Sequence, residues 1–262
     1  MATKGCNRDN LCYWHSPHGQ GTIVVACAGG DGGGDDDRDN QRFKFSFPEW
    51  REVDHGFMPA NIVIVGHSFV RRLGDYLRRT YGQYFNMGLD FDRAFVTFLH
   101  QGGLTAAGAR RNFVDHIISL GPDIVYIELG SNDLCHPRLS PQDVGDCLQD
   151  LANDLIQRGV HFVMLGQVVM RADRAIPRAT RSYNTKVRHF NAYMTDLFAP
   201  GTPLPARFWR HRGMTYAGRS ILGPDGVHLN QLGHYRLFRS IRGALLFAIS
   251  RVRRHLRNHF TI

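Results

Sequence analysis

Asn61-Ile62-Val63-Ile64-Val65-Gly66-His67-Ser68-Phe69-Val70-Arg71-Arg72-Leu73 is the stretch from which the rest of the chain can be read. Four β-branched residues in a row, Ile62 to Val65, predict a buried strand that runs directly into Gly66. The run from Val70 to about Thr80 predicts a helix. Ser68 therefore falls on a tight strand-to-helix turn. Its hydroxyl is presented at the carboxyl edge of a sheet, and its own N–H opens a helix N-terminus. Serine is also a favoured N-cap, which is a purely structural use. The turn is not the Gly-x-Ser-x-Gly elbow of α/β-hydrolases, because Val70 stands where the second glycine would be.

Outward from this turn, strand-like and helix-like runs alternate. Residues 61–65, 94–99, 123–129 and 160–165 read as strands, and 207–209 as a fifth. Helical patterning covers 70–80, 106–119, 141–158 and 181–198, and a final helix begins just after Asn230. That alternation predicts an α/β fold with a parallel sheet. In the helix at 181–198, Val187, Phe190, Met194 and Leu197 recur at three- and four-residue spacing, a stripe that reads as core. Beyond Asn230, Leu232, Tyr235, Phe238, Ile241, Leu245, Ile249, Val252 and Leu256 give a second such stripe. Arg236, Arg239, Arg242, Arg253 and Arg257 fall mostly off it.

Three further loops carry groups that suit hydrolytic chemistry. Asp123-Ile124-Val125-Tyr126-Ile127-Glu128-Leu129 reads as a central parallel strand and ends in Gly130-Ser131-Asn132-Asp133. An Asn amide there can donate into the crevice where open α/β sheets hold ligands. Gln101-Gly102-Gly103-Leu104-Thr105 follows the strand-like run 94–99, and glycine lets a backbone N–H approach a reacting oxygen closely. Near the C-terminus, Gly223-Pro224-Asp225-Gly226-Val227-His228-Leu229-Asn230 sets a carboxylate three residues before a histidine in a Gly/Pro-rich turn. A general base needs such a partner to fix its tautomer and to steady the imidazolium.

These blocks resemble the SGNH (GDSL-type) hydrolase family, named for a Ser, a Gly, an Asn and a His in four separate segments. The match runs through Ser68 in Gly66-His67-Ser68, Gly103 in Gly102-Gly103-Leu104-Thr105, Asn132 in Gly130-Ser131-Asn132-Asp133, and His228 with Asp225 in Asp225-Gly226-Val227-His228. It covers roughly residues 60 to 250. One departure is His67, where the family usually has Asp. The resemblance implies a three-layer α/β/α sandwich, flavodoxin-like, with a parallel sheet of about five strands. It also implies a catalytic triad of Ser68, Asp225 and His228, an oxyanion hole of Ser68, Gly103 and Asn132, and no metal or organic cofactor. Related modules also occur in open reading frames of some retrotransposons.

The first sixty residues differ from the rest. Residues 29–40 form a low-complexity acidic linker, so 1–59 is expected to be a disordered tail ahead of a domain over 60–262. Cys6, Cys12, His15 and His18 match no common zinc finger. With no span near the roughly 18 apolar residues of a membrane helix and no secretion signal at Met1–Cys6, the expected location is intracellular, with the five cysteines reduced. The net charge is +9; residues 1–60 hold nine acidic and six basic side chains, a balance of −3, which leaves +12 on the remainder. Seven arginines and no Asp or Glu lie in 231–262, and 171–188 holds six basic residues against one acidic. Such a surface either solubilises the chain or attracts nucleic acid or another polyanion.

Two functions follow from these readings. The first is a serine esterase that cleaves a small-molecule, carbohydrate or lipid ester through an acyl-enzyme on Ser68, with pocket walls from 134–141 and 176–181. The second is a weakly active or inactive SGNH scaffold, transposon-derived, that binds nucleic acid through its basic C-terminal helix.

Overall fold

The computed structural model describes residues 58–83, 85–172, 175, 182–214 and 221–260, together with three short strands nearer the N-terminus. The chain divides into two units, Met1–Met58 and Pro59–Ile262. Within the first, β1 (Lys4–Cys6), β2 (Leu11–His15) and β3 (Thr22–Ala26) form an antiparallel sheet in that order. The acidic linker at 29–40 and the side chains of the Cys6, Cys12, His15 and His18 set lie outside the described residues.

The second unit has a five-stranded parallel sheet: β4 (Ala60–Gly66), β5 (Ala94–His100), β6 (Ile124–Glu128), β7 (Phe162–Gly166) and β8 (Ala206–Trp209). The strand order is β5-β4-β6-β7-β8, every neighbouring pair parallel. The three central strands are buried on both faces, which is why they read as unbroken apolar runs. On one face, Ile62, Ile64, Ile124, Tyr126 and Met164 meet α1 (Ser68–Tyr81) and α6 (Gln231–Phe260). On the other, Val63, Val65, Val125, Ile127 and Val163 meet α4 (Pro141–Gln157), α5 (Tyr183–Leu197) and the shorter α2 (Ala106–Asn112) and α3 (Val114–Ser119). This is the three-layer α/β/α architecture.

The helical pattern at 106–119 is two helices. Phe113, at φ −113° and ψ −21°, closes α2 and opens α3. The start of α4 is set locally, by a capping box between Ser140 and Asp143 with Pro141 in the first turn. In α6 the buried stripe is Leu237, Phe238, Ile241, Ala244, Leu245, Ala248, Ile249 and Val252. Two expectations are corrected there. Leu232 is 43% exposed although Gly233 and His234 beside it are buried: at about 100° per residue it lies roughly 180° around the helix from Ile241, and Leu237 takes the core position. Arg242 is partly buried and donates to the Gly88 carbonyl through Nε (3.3 Å) and Nη2 (3.2 Å), so it is a structural cation. Among the described residues no helix is long and apolar enough to cross a membrane.

The strand order reverses direction at β4, whose two neighbours β5 and β6 follow it in the chain. That switch point opens a crevice at the carboxyl ends of β4 and β6, where ligands of open α/β sheets bind.

The buried face of α6 generates a stability prediction. Ile241→Asp puts a carboxylate into a fully buried site and should cost roughly 3–5 kcal/mol in urea unfolding. Arg254→Gln, on the exposed face, should stay within about 0.5 kcal/mol of the parent chain. Equal midpoints for the two variants would refute the docked orientation of α6.

Candidate active site

β4 can turn into α1 without a spacer only because residue 66 is glycine. A Cβ there would lie 2.5 Å from Val70 Cγ2 and 2.7 Å from the Glu128 carbonyl oxygen. His67 follows as the N-cap of α1, so the capping role open to Ser68 belongs to its neighbour. His67 Nδ1 accepts the Phe69 N–H at 3.3 Å, and its Nε2 lies 2.8 Å from Ser131 Oγ. Because Nδ1 accepts, the ring proton sits on Nε2 and is donated to Ser131. The imidazole is 3% exposed. Burial drives its pKa down to about 4, aided by the charges of Arg171 and His228 and opposed by Glu128. At neutral pH His67 is uncharged, and it joins the start of α1 to the end of β6.

Ser68 is the first residue of α1, ahead of the first intrahelical hydrogen bonds, so its N–H belongs to the free N-terminal set. Its Oγ lies 3.1 Å from His228 Nε2. His228 Nδ1 lies 2.6 Å from Asp225 Oδ2. Asp225 accepts, so the His228 proton sits on Nδ1 and Nε2 faces the serine as an acceptor. The other carboxylate oxygen of Asp225 accepts the Val227 and His228 N–H groups, both at 2.9 Å. Partial burial alone would raise the Asp225 pKa, but the bonds from the His228 ring and from the two N–H groups prevail and bring it to about 2. The turn itself is closed by Gly223 N–H to the His228 carbonyl (2.7 Å) and Gly226 N–H to the Gly223 carbonyl (3.0 Å).

Gly103 lies at the carboxyl end of β5 with φ +73°, a left-handed conformation that glycine adopts without strain. Nothing lies within 4 Å of the position its Cβ would take. Asn132 Nδ2 donates to the Leu104 carbonyl at 3.0 Å, which commits one amide hydrogen and leaves the second. The five residues predicted from the sequence thus come from the ends of β4, β5 and β6 and from the turn before α6. Ser68, His228 and Asp225 form one hydrogen-bonded chain, and Asn132 is bonded to the residue after Gly103.

Two residues of the site were not singled out from the sequence. Asp133 is 4% exposed, and both its carboxylate oxygens accept the Ala106 N–H, at 2.9 and 3.2 Å, so it clamps the start of α2 to the Asn132 loop. Burial raises its pKa while that backbone bond lowers it, and the net shift is upward. Ser131 is the acceptor that gives His67 its tautomer. Both belong to the quoted Gly130-Ser131-Asn132-Asp133 segment, but their partners lie 27 and 64 residues away. Of the predicted pocket walls, the loop before α4 is anchored by Lys186 Nζ, which donates to the carbonyls of His136 (3.0 Å), Pro137 (3.4 Å) and Leu139 (2.6 Å). The segment 176–181 lies outside the described residues.

Residues 64–236 match the GDSL-like Lipase/Acylhydrolase family. No curated protein matches the chain. Solved structures share its fold. A candidate acylhydrolase from Bacteroides fragilis NCTC 9343 is 15% identical with a TM-score of 0.55, covering 73% of this chain and 91% of its own. A GDSL-like lipase from Bacteroides thetaiotaomicron VPI-5482 is 17% identical with a TM-score of 0.51, covering 72% and 89%.

The buried His67 makes stability depend on pH. Its folded pKa is below the unfolded value of 6.5, so the unfolded chain binds the extra proton between about pH 6.5 and 4, and stability falls as pH drops through that window. The loss is on the order of 3 kcal/mol for a shift of this size. His234, also lowered to about 4 by burial, adds to the same slope. His67→Asn keeps a favoured N-cap without a titrating group, and should flatten the decline in melting temperature between pH 7 and 4.5. An unchanged slope in that variant would mean that His67 is protonated in the folded protein.

Proposed function

The chain belongs to the GDSL-like lipase/acylhydrolase family, and from that premise we propose that it cleaves a carboxylic ester through an acyl-enzyme on Ser68. The observation that carries the reading is the hydrogen-bonded series Ser68 Oγ, His228 Nε2, His228 Nδ1, Asp225 Oδ2, with separations of 3.1 Å and 2.6 Å. His228 takes the serine proton as Oγ attacks the ester carbonyl, and Asp225 holds the imidazole with Nε2 bare and steadies the imidazolium that forms. The Ser68 and Gly103 N–H groups and the uncommitted Asn132 amide hydrogen stabilise the oxyanion. His228 then returns the proton to the departing alcohol. Water attacks the acyl-enzyme by the same route and restores Ser68.

Both tautomers support this division of labour. His228 has its acceptor nitrogen toward Ser68, while His67 has its acceptor toward α1 and so holds the helix whose first residue is the nucleophile. The substrate is a small-molecule, carbohydrate or lipid ester in this reading. A binding-only scaffold has no use for the Ser68–His228–Asp225 series. Among the basic residues of α6, moreover, Arg242 is engaged by Gly88 and Arg251 lies over the Phe247 ring at 5.1 Å.

Turnover of p-nitrophenyl butyrate tests the assignment. Ser68→Ala and His228→Ala should each cost on the order of 10⁶-fold in kcat, and the double variant hardly more, because the two act as one unit. Asp225→Ala should be milder, on the order of 10⁴-fold. Multiplying losses in the double variant would contradict the relay. Asn132→Ala should lower kcat by about 100- to 1,000-fold at nearly constant KM, since its donor is needed only as the oxyanion forms. A change confined to KM would make Asn132 a ground-state binding residue.

A further inference from the structure

Arg171 lies in the segment that leaves the carboxyl end of β7, and its backbone is tied down on both sides. Its N–H donates to Asn184 Oδ1 (3.0 Å), and its carbonyl accepts from Asn184 Nδ2 (2.8 Å). The next N–H, of Ala172, donates to the Gly226 carbonyl at 2.8 Å, inside the turn that carries Asp225 and His228. The guanidinium carbon lies 4.6 Å from the ring centroid of Tyr183, a cation–π contact. Tyr183 is 1% exposed, and the guanidinium is close enough to serve as a side-chain hydrogen-bond donor to its hydroxyl and to the Cys135 thiol, both neutral groups. The same positive charge acts on His67 behind Ser68 and on Cys135 in the turn after Asn132. Arg171 thus stands between the turn of the base and the loop of the Asn132 amide.

Among the described residues no carboxylate pairs with Arg171. Burial raises the pKa of Cys135 and of Tyr183 and lowers that of His67, so all three are uncharged at neutral pH. Among the described residues Arg78, Arg110 and Arg158 each have a carboxylate partner, and Arg171 has none. A partly buried guanidinium that has lost hydration without gaining an anion is costly, and a carboxylate that accepts two of its N–H groups in one plane removes the cost. Lys186, whose charge also acts on Cys135, donates its ammonium to three loop carbonyls. A guanidinium whose described partners are all neutral can still take one negative charge. We propose that Arg171 is a specificity residue that selects esters bearing a carboxylate, by pairing with that anion beside the scissile bond. The proposal rests on the ester-hydrolase reading above.

The test compares p-nitrophenyl butyrate with the mono-p-nitrophenyl ester of glutaric acid, an acyl chain of similar length that ends in a carboxylate. The parent enzyme should favour the glutarate ester at least tenfold in kcat/KM. Arg171→Gln should lower that ratio at least tenfold, mainly through the KM of the glutarate ester, and Arg171→Lys should restore part of it. Raising NaCl to 0.5 M should lower the ratio in the parent and leave it level in Arg171→Gln. A ratio near one in the parent, or one that Arg171→Gln shifts by less than threefold, would overturn the proposal and leave Arg171 as packing on Tyr183. Calorimetry on Ser68→Ala separates this from the activity itself. That variant should bind the glutarate ester but not butyrate, and should lose the binding when Arg171→Gln is added. If the parent hydrolyses neither ester, the hydrolase reading falls, and Arg171 still stands or falls by whether this binding needs the carboxylate.

Discussion

The imidazole of His67 holds together the parts on which the site depends. Its two nitrogens face different loops and need opposite characters, an acceptor for the Phe69 N–H at the start of α1 and a donor for Ser131 at the end of β6. Only the neutral ring has both, and burial keeps it neutral. An aspartate, the usual residue at this place in SGNH hydrolases, would cap the helix well but as an ionised group has no hydrogen for Ser131. The histidine keeps the cap and supplies the donor in the bond to the loop after β6. Two further bonds complete the frame: Asn132 to the Leu104 carbonyl and Asp133 to the Ala106 N–H. The loops after β4, β5 and β6 are therefore braced against one another by side chains, with no contribution required from a ligand.

Beneath that frame lies a second polar group on the face covered by α6. Glu128, 4% exposed, accepts the Tyr126 hydroxyl at 2.9 Å and lies 3.4 Å from His211 Nε2. His211 Nδ1 lies 2.8 Å from Ser240 Oγ, which also receives the Trp209 indole N–H at 3.1 Å. His211 N–H donates to the Gln167 side chain. A carboxylate so placed would be costly alone, and the chain of partners makes it tolerable. The result is a directional link from central strand β6 to helix α6. The apolar contacts of that helix would be nearly as good after a small slide along the sheet, whereas the hydrogen bonds would not.

Much of this was legible in the residues. The unbroken apolar runs marked the central strands because both of their faces are covered, and the Gly-rich turn before His228 carried its aspartate within one turn of backbone. What could not be read are features whose partners are distant in sequence. Asp133 looks like any loop acid until Ala106 is brought to it, and Glu128 looks like a polar end to a strand until His211 arrives from beyond β8. Periodicity placed Leu232 in the stripe because three successive three-residue steps drift about 180° around the helix, and it left Leu237 out because the covered face is wider than one residue per turn. Arg242 fell off the stripe on the helical wheel, yet the Gly88 carbonyl reaches it at the margin.

The proposed nucleophile and base are 160 residues apart, and the oxyanion loops all precede the base. During synthesis, therefore, the serine and its donors emerge long before any group able to activate them. A nascent chain released as far as β7 has a hydroxyl at a helix start and nothing to take its proton. Docking of the last long helix against the sheet both buries the remaining apolar face and delivers the turn that bears His228 and Asp225. Under the proposed assignment, chemical competence is thus coupled to that docking, and a chain cut between β8 and α6 would lose the base together with the layer that covers one face of the sheet.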